Sequence, residues 1–246
     1  MNLLDVAGVS YFIGDLEIIK DATFKANDGE FVSLIGPSGC GKSTLLRIIA
    51  GLIRPTKGKV MYLGKEIVEP IPEISFVFQD FALLPWLNNV ENVEIGLSRS
   101  NISEEGKREK ALEILRHVGL SGFEYAYPNA LSGGMKQRVG IARAIVSEPK
   151  ILLMDEPFSS LDELTAEALR KDVYTLLKSK DNPVSSVIMV THNVEEAVEL
   201  SDKIVVMAQK PSYVKKILEV KLGRPRNKYS KEFRDYVNTV YKLLTA

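Results

Sequence analysis

The most constraining feature of this sequence is a glycine-rich segment that begins at Gly36 and ends at Thr44. It fits the pattern G-x-x-x-x-G-K-[ST] and consists of Gly36, Pro37, Ser38, Gly39, Cys40, Gly41, Lys42, Ser43 and Thr44. The apolar run 31–35 before it predicts a buried strand, and the apolar stretch after it predicts a helix that begins near Lys42. A strand, a glycine loop and a helix in this order are the context in which such a segment binds phosphate.

The residue types in this loop suit phosphate chemistry. Glycines allow the loop to curl, so that successive backbone N–H groups point at phosphate oxygens. The following helix adds the positive end of its dipole, Lys42 reaches the β- and γ-phosphates, and the Ser43 hydroxyl binds Mg²⁺. The alternative is an ordinary turn before a helix, but chance produces this pattern in only about one chain in a hundred. The loop therefore predicts a bound nucleoside triphosphate.

Composition argues against several other classes of protein. The 246 residues include 32 basic and 32 acidic side chains, so no bulk positive field predicts nucleic-acid binding. No apolar stretch approaches the roughly 20 residues of a membrane helix, and the N-terminus does not resemble a secretory signal. The single cysteine, Cys40, allows no intrachain disulfide and suits a reducing compartment. We expect a cytosolic protein that acts at a membrane only through a partner.

The first part of the chain reads as antiparallel strands. Residues 3–35 alternate short apolar runs with turn signals, at Ala7-Gly8, Gly14-Asp15 and Asn27-Asp28-Gly29. These strands are expected to lead directly into the strand before the phosphate loop.

The remainder reads as helices and short buried strands. The pattern is helical from about residue 89 to residue 147, whereas the runs 151–154 and 187–190 are typical of buried parallel strands. A helix over 230–244 carries an apolar stripe that we expect to pack on its own domain. The stripe consists of Phe233, Val237, Val240, Tyr241 and Leu244. The whole chain is thus predicted to be one α/β domain with a helical insert.

Two further motifs accompany the phosphate loop. Leu131-Ser132-Gly133-Gly134 precedes a basic helix, whose free N–H groups would form a second anion cradle. Taken alone, a Ser-capped helix after a glycine turn explains these residues better. Downstream, an apolar strand ends in Asp155 and Glu156, which would place a carboxylate near Mg²⁺ and a second one against an attacking water. Two acidic residues at the end of a strand usually lie on the solvated surface and have no catalytic role. The presence of all three motifs in one chain is what favours catalysis.

With these motifs in this order, nearly the whole chain resembles the ATP-binding cassette of an ABC transporter. The resemblance implies an α/β fold with a P-loop NTPase (RecA-like) core, an antiparallel β subdomain and a helical insert subdomain. It places the core in residues 1–85 and 148–246, and the helical subdomain that carries the signature in about residues 86–147. It also implies that two copies close head to tail, each lending Ser132, Gly133 and Gly134 to the ATP of the other.

The resemblance also assigns catalytic roles by position. Gly36 to Thr44 matches the phosphate loop, Asp155 the acidic metal ligand and Glu156 the general base. The implied cofactors are ATP and Mg²⁺, with Ser43, Gln79 and Asp155 as metal ligands. Gln79 further matches the residue that couples the metal and the attacking water to the transmembrane subunit.

Three other positions match the family less directly. His192 matches the γ-phosphate sensor, and Ser160 to Asp162 matches a segment that crosses the dimer. Ile13 occupies the position at which the family usually stacks adenine on an aromatic ring. An aliphatic contact is weaker and less selective than a π-stack, so the preference for adenine over guanine stays open. Asn193 stands where an aspartate often follows the histidine.

The segment 79–86 predicts a partner surface. It leads from Gln79 through apolar residues to the only tryptophan of the chain, Trp86. Exposed apolar patches commonly mark partner sites, which favours contact with transmembrane permease subunits over local packing. The short run Leu84-Pro85-Trp86, with segments near 154–165 and 210–226, resembles importer cassettes for nitrate, sulfonates and taurine. That branch implies an extracytoplasmic substrate-binding protein and a peripheral location at the cytoplasmic face of the membrane.

Two alternative functions stay open from the sequence. A soluble ABC ATPase of cofactor assembly would share every catalytic residue, and neither charge nor length excludes it. A P-loop phosphotransferase for a small molecule would explain residues 36–44 but would leave Leu131 to Gly134 without a purpose.

Overall fold

The computed structural model describes residues 1–177 and 184–245. The strands are β1 (Asn2–Ile13), β2 (Leu16–Asn27), β3 (Phe31–Ile35), β4 (Lys57–Tyr62), β5 (Lys65–Glu66), β6 (Ile74–Val77), β7 (Ile151–Asp155), β8 (Ser186–Thr191), β9 (Lys203–Met207) and β10 (Val214–Glu219). The helices are α1 (Lys42–Ile49), α2 (Asn89–Glu94), α3 (Glu104–His117), α4 (Gly133–Ile145), α5 (Glu163–Leu177), α6 (Val194–Leu200) and α7 (Lys231–Thr245). Short 3-10 turns occur at Ile95–Leu97 and Pro128–Ala130.

The chain folds into two compact units. The first consists of Met1–Ile71 with Ser185–Ala246, and the second of Pro72–Val184. The division into a core and an insert at residues 85 and 148 stays a prediction. In the ranges 1–177 and 184–245, no helix combines the length and the apolar character needed to cross a bilayer.

The first unit begins with an antiparallel sheet in the order β2-β1-β4-β5. The predicted turn at Gly14-Asp15 joins β1 to β2, but the predicted turn at Ala7-Gly8 is wrong, because β1 continues through it. Gly8 has a φ of 62°, and the register with both neighbouring strands shifts beside it. This is the geometry of a β-bulge. Both a turn and a bulge favour glycine at positive φ, so the local sequence does not separate them.

The first unit also contains the buried strand that was predicted before the phosphate loop. All five residues of β3 are buried, and β3 pairs in parallel with β8 on one side and β9 on the other. Strand β8 is buried along its whole length, as its apolar run predicted, and β10 adds to β9 in antiparallel orientation. A strand flanked in this way has little freedom to shift, so its carboxyl end is a fixed point.

The C-terminal helix α7 packs on the first unit, as predicted. Its residues Phe233 and Val240 are buried in one cluster with Ile35 of β3 and Val198 of α6. The prediction for Tyr241 is wrong, because its side chain is 51% exposed. Tyr241 follows Val240 by one residue, a rotation of about 100° around the helix, and therefore lies outside the buried stripe.

Two arginines satisfy the end of α6. The last carbonyl groups of a helix have no partner within it. Arg226 donates to the carbonyl oxygens of Val198 and Ser201, each at 2.6 Å, and Arg224 donates to that of Leu200 at 2.7 Å. Because α6 starts directly after His192 and Asn193, these bonds also fix the helix that begins beside His192.

The second unit contains the helices predicted between residues 89 and 147. Ser103 caps α3, accepting a hydrogen bond from Gly106 N, and Ala111 and Leu115 of α3 are buried. Strands β6 and β7 pair in parallel, with Val77 opposite Met154. The segments that follow Val77 and Met154 therefore leave the same edge of this strand pair.

The acid stability of the first unit is expected to depend on Glu30, directly before β3. Burial raises the pKa of its carboxyl, but hydrogen bonds from Lys203 Nζ (2.7 Å) and from Asn27 N (2.8 Å) outweigh burial, and the pKa is lowered. A lowered pKa adds stability above the unfolded-state value and loses it as pH falls through the folded value.

We predict that Glu30→Gln lowers the free energy of unfolding at pH 7 and flattens its decline between about pH 5 and pH 3. Urea unfolding at a series of pH values measures both effects. Glu66→Gln, on the exposed strand β5, is the control and is expected to keep the wild-type profile. An unchanged slope in Glu30→Gln would contradict the prediction.

Candidate nucleotide site

The predicted phosphate loop joins β3 to α1 in the first unit. Gly39 and Gly41 have φ values of 71° and 108°, which L side chains rarely adopt. A Cβ at Gly36 would lie 2.8 Å from the carbonyl oxygen of Met207, and one at Gly41 would lie 3.1 Å from Cγ2 of Ile18. Glycine is therefore required here both by the backbone conformation and by the close approach of neighbouring strands.

The polar groups of this loop fit a bound phosphate chain. Gly41, at the start of α1, provides no side-chain cap, so no side chain at that position competes with an anion at the helix end. Lys42 is only 5% exposed, and its Nζ donates to the carbonyl oxygens of Gly36 at 2.8 Å and Pro37 at 3.0 Å. These bonds hold the ammonium group on the loop. Ser43 follows in the first turn of α1, and the side chain of Cys40, within the loop, is buried.

The first unit places His192 at the same sheet edge as the loop, and it also contains Ile13. Ile35 pairs with Thr191 in parallel strands, and the next residues are Gly36 and His192, so both leave the same edge of the sheet. That edge is where α/β folds bind ligands. Ile13 pairs with Leu16 at the end of the β1–β2 hairpin and is 60% exposed.

The second unit contains both predicted carboxylates and Gln79. Asp155 is the last residue of the buried strand β7 and is 3% exposed. Glu156 follows with a φ of 45°, and the Ser159 hydroxyl donates to its carbonyl oxygen at 2.9 Å. Left-handed backbone in a residue other than glycine concentrates at functional sites. Gln79 is exposed in the turn after β6, which pairs with β7.

The Ser132 motif of the second unit is a capped helix start. Ser132 accepts a hydrogen bond from Met135 N at 3.3 Å, so the ordinary capping role is present. A Cβ at Gly134 would lie 2.8 Å from Cγ2 of Thr165, which explains glycine there through the packing of α5. Ser132 and Gly133 are exposed, in contrast to Gly134.

Asp162 lies between Leu161 and Thr165, which approach Gly133 and Gly134 in the segment 132–134, here called the Ser132 corner. Its carboxylate accepts from Thr165 N at 3.0 Å at the start of α5, and hydrogen bonds from Thr165 lower the pKa of Asp162. Within the predicted dimer-crossing segment, Ser160 is exposed and Leu161 is partly buried.

The sequence interpretation did not single out the residues that hold the segment after Gln79. Arg143 of α4 donates to the backbone carbonyls of Phe81 and Ala82, and the buried Asn92 of α2 binds the backbone of Leu84. No periodicity marks these two side chains, because each bonds to main chain that is distant in sequence. An arginine in an otherwise apolar helical run, Ile141 to Ile145, was the one available hint.

Comparison with known proteins agrees with this geometry. A family model described as ABC transporter matches residues 19–159. The chain is 44% identical over 229 residues to an uncharacterized ABC transporter ATP-binding protein, MJ0412, of Methanocaldococcus jannaschii, covering 93% of this chain and 85% of that protein. It is 41% identical over 222 residues to the aliphatic sulfonates import ATP-binding protein SsuB of Bacillus cereus, covering 90% of this chain and 86% of that protein.

A solved structure is also similar. The dimeric post-hydrolysis state of the ATP-binding cassette MJ0796, bound to ADP and Pi, superposes with a TM-score of 0.76 at 34% identity, covering 90% of this chain and all of that chain. These similarities confirm the predicted α/β P-loop NTPase fold and the predicted ATP binding. The chain therefore belongs to the ABC transporter family, as one of its ATP-hydrolysing cassettes.

Proposed function

We propose that this chain is the ATPase subunit of an importer for a small solute such as an aliphatic sulfonate, taurine or nitrate. The observation that carries the proposal is the 41% identity, over 90% of the chain, to an aliphatic sulfonates import ATP-binding protein. In such an importer the chain is peripheral at the cytoplasmic face of the membrane. Permease subunits form the path for the solute, and an extracytoplasmic protein delivers it.

The phosphate loop and three oxygen-bearing side chains are proposed to hold ATP with Mg²⁺. Backbone N–H groups and Lys42 bind the phosphates, and Ser43, Gln79 and Asp155 supply ligands to the metal. Mg²⁺ prefers oxygen ligands and is commonly bound by one or two carboxylates together with substrate phosphates. The position of Asp155 at the end of a buried strand supports this role. When bound, Mg²⁺ offsets the negative charge that develops on the phosphates.

Glu156 is proposed as the general base and His192 as the residue that contacts the γ-phosphate. Phosphoryl transfer requires little covalent assistance, so positioning and electrostatics dominate catalysis. The left-handed backbone of Glu156 supports a positional requirement for its carboxylate. Ile13 is proposed to contact the base of the nucleotide, and its exposure leaves it accessible for that contact.

A second copy of the chain is proposed to complete each nucleotide site. Ser132, Gly133 and Gly134 of one copy would contact ATP bound to the other, with the copies arranged head to tail. The exposure of Ser132 and Gly133 supports this use, and the similar cassette MJ0796 is dimeric.

Exposed aromatic residues of the second unit are proposed to bind the permease. Trp86 is 69% exposed, and Phe123, Tyr125 and Tyr127 are also exposed. Hydrogen bonds from Asn89 to Phe123 O (2.7 Å) and Ala126 O (3.0 Å) bring the start of α2, shortly after Trp86 in the chain, next to these residues. Exposed aromatic groups gathered in this way are typical of interaction sites.

Removal of the Lys42 ammonium is expected to weaken nucleotide binding. A charge-assisted hydrogen bond contributes about 1.5–3 kcal/mol, so Lys42→Met should lower the affinity for ATP by about 10- to 100-fold. Titration with a fluorescent ATP analogue measures the change. Lys57→Met, on an exposed residue of β4, is the matched control and should bind as the wild type does. Equal affinity in Lys42→Met and wild type would remove the assignment of the phosphate loop.

Glu156→Gln is expected to bind ATP but to lose most turnover, because a general base contributes about 10²- to 10⁴-fold to the rate. Without hydrolysis the ATP-bound dimer should accumulate. Phosphate release and size-exclusion chromatography with light scattering, both with ATP and Mg²⁺, measure the two effects. Glu113→Gln, exposed on α3, is the control. A purely monomeric Glu156→Gln would count against dimer closure.

The importer proposal is tested by the proteins that co-purify with the tagged chain from detergent-solubilised membranes. We expect a permease with several membrane spans, and a solute-binding protein that binds sulfonates. Trp86→Ala should reduce the recovered permease without reducing ATP affinity, because Trp86 lies outside the phosphate loop. Recovery of soluble cofactor-assembly proteins, and no permease, would favour the alternative function.

A further inference from the structure

The segment that follows Gln79 has an unfavourable backbone conformation. Phe81 and Ala82 have φ values of 64° and 45°, two consecutive left-handed residues without glycine. L side chains rarely adopt this region, and they persist there only when the surrounding structure imposes it. Phe81 is buried, whereas Trp86, five residues further on, is exposed.

The contacts that impose this conformation come from α4. The two terminal nitrogens of Arg143 donate to the carbonyl oxygens of Ala82, at 2.6 Å, and Phe81, at 2.5 Å. The planar guanidinium is suited to this pair of bonds, because its donors have a fixed geometry. Burial lowers the pKa of Arg143, although the nearby Asp80 carboxylate acts in the opposite direction. Even so, an arginine side chain keeps its proton in proteins.

Two further contacts hold the same segment. A Cβ at Gly140 of α4 would lie 3.6 Å from the carbonyl oxygen of Phe81, an ordinary van der Waals distance, so the helix packs against the loop there. On the other side, Asn92 of α2 accepts from Leu84 N at 2.8 Å and donates to the carbonyl oxygens of Leu84 (3.1 Å) and Leu87 (2.9 Å). Residues 81–87 are thus bound from both α4 and α2.

We propose that Arg143 is a positioning residue for Gln79. It holds the segment 79–86 against α4, the same helix that begins at the exposed Ser132 corner. An α-helix of this length is a rigid rod of roughly 20 Å, so a displacement of the Ser132 corner moves Arg143 and, through its two hydrogen bonds, the backbone beside Gln79. The inference rests on the proposed role of Gln79 and adds to it a physical connection between the dimer contact and the permease-facing segment.

The test uses the full chain and the fluorescence of Trp86, which is the only tryptophan. Arg143→Met removes both hydrogen bonds and keeps an unbranched side chain of moderate length. Arg143→Lys keeps the charge, but an ammonium group does not reproduce the two-pronged geometry of the guanidinium. Arg138→Met is the matched control, because Arg138 lies on the same helix and also donates to a distant carbonyl, that of Val118 at 2.6 Å.

The measurements are the time-resolved fluorescence anisotropy of Trp86, the Kd for a fluorescent ATP analogue, and kcat for ATP hydrolysis. We expect Arg143→Met to show faster local motion of Trp86 and at least about a tenfold loss in kcat, since a displacement of about 1 Å at a reacting group can cost on the order of 100-fold. The Kd should stay within about twofold of the wild-type value, and Arg143→Lys should lie between the two in kcat. Arg138→Met should match the wild type in all three measurements.

Wild-type anisotropy and kcat in both Arg143 variants would overturn the proposal, and so would equal losses in Arg138→Met, which would indicate general destabilisation of α4. If Arg143→Met does not fold, Arg143→Lys with a wild-type circular dichroism spectrum decides between the same outcomes. Gln79→Ala, assayed alongside, separates the role of Gln79 from the role of Arg143. Wild-type turnover in Gln79→Ala would overturn the role of Gln79 itself. If Gln79→Ala loses turnover while both Arg143 variants keep wild-type anisotropy and kcat, only the role of Arg143 is overturned.

Discussion

The burial of β3 between two parallel neighbours is the constraint on which the nucleotide site depends. Hydrogen bonds to β8 and β9 leave this strand no alternative register, because a shift would expose apolar side chains and break two ladders. Its carboxyl end therefore delivers Gly36 to a defined position, and the absence of a Cβ at Gly36 permits the close approach of Met207. The glycines of the loop are thus as much a consequence of this packing as of phosphate chemistry.

Hydrogen bonds between buried polar groups also fix the helix next to His192. The hydroxyls of Ser33 in β3 and Ser201 after α6 form a hydrogen bond of 2.5 Å. The hydroxyl of Thr191, the last residue of β8, donates to the carboxylate of Glu196 in α6. Arg224 and Arg226 satisfy the carbonyls at the other end of this helix. Each bond satisfies a buried polar group that would otherwise destabilise the fold. The helix next to His192 is therefore fixed at both ends.

Connecting segments of the second unit are held by bonds from side chains to backbone. Its connecting segments are irregular, and their main-chain groups need partners outside any helix or strand. Arg143, Asn89 and Asn92 provide such partners for the segments around Gln79, Phe123 and Leu84. A segment held by a few side chains can change its conformation when those side chains move, which suits a part of the protein that is proposed to respond to a permease.

The sequence by itself determined the family, the fold and the candidate residues, because the phosphate loop, the Ser132 corner and the Asp155-Glu156 pair are local patterns with strong chemical requirements. The buried strands β3 and β8 and the helical region over about residues 89–147 were equally predictable, since hydrophobic periodicity is a local pattern. Only the tertiary structure decided that Gly8 forms a bulge, that Tyr241 is exposed, and that Arg143 holds the carbonyls of Phe81 and Ala82. These features depend on contacts between residues that are distant in the chain or on the register of a neighbouring strand, and no local pattern records such contacts.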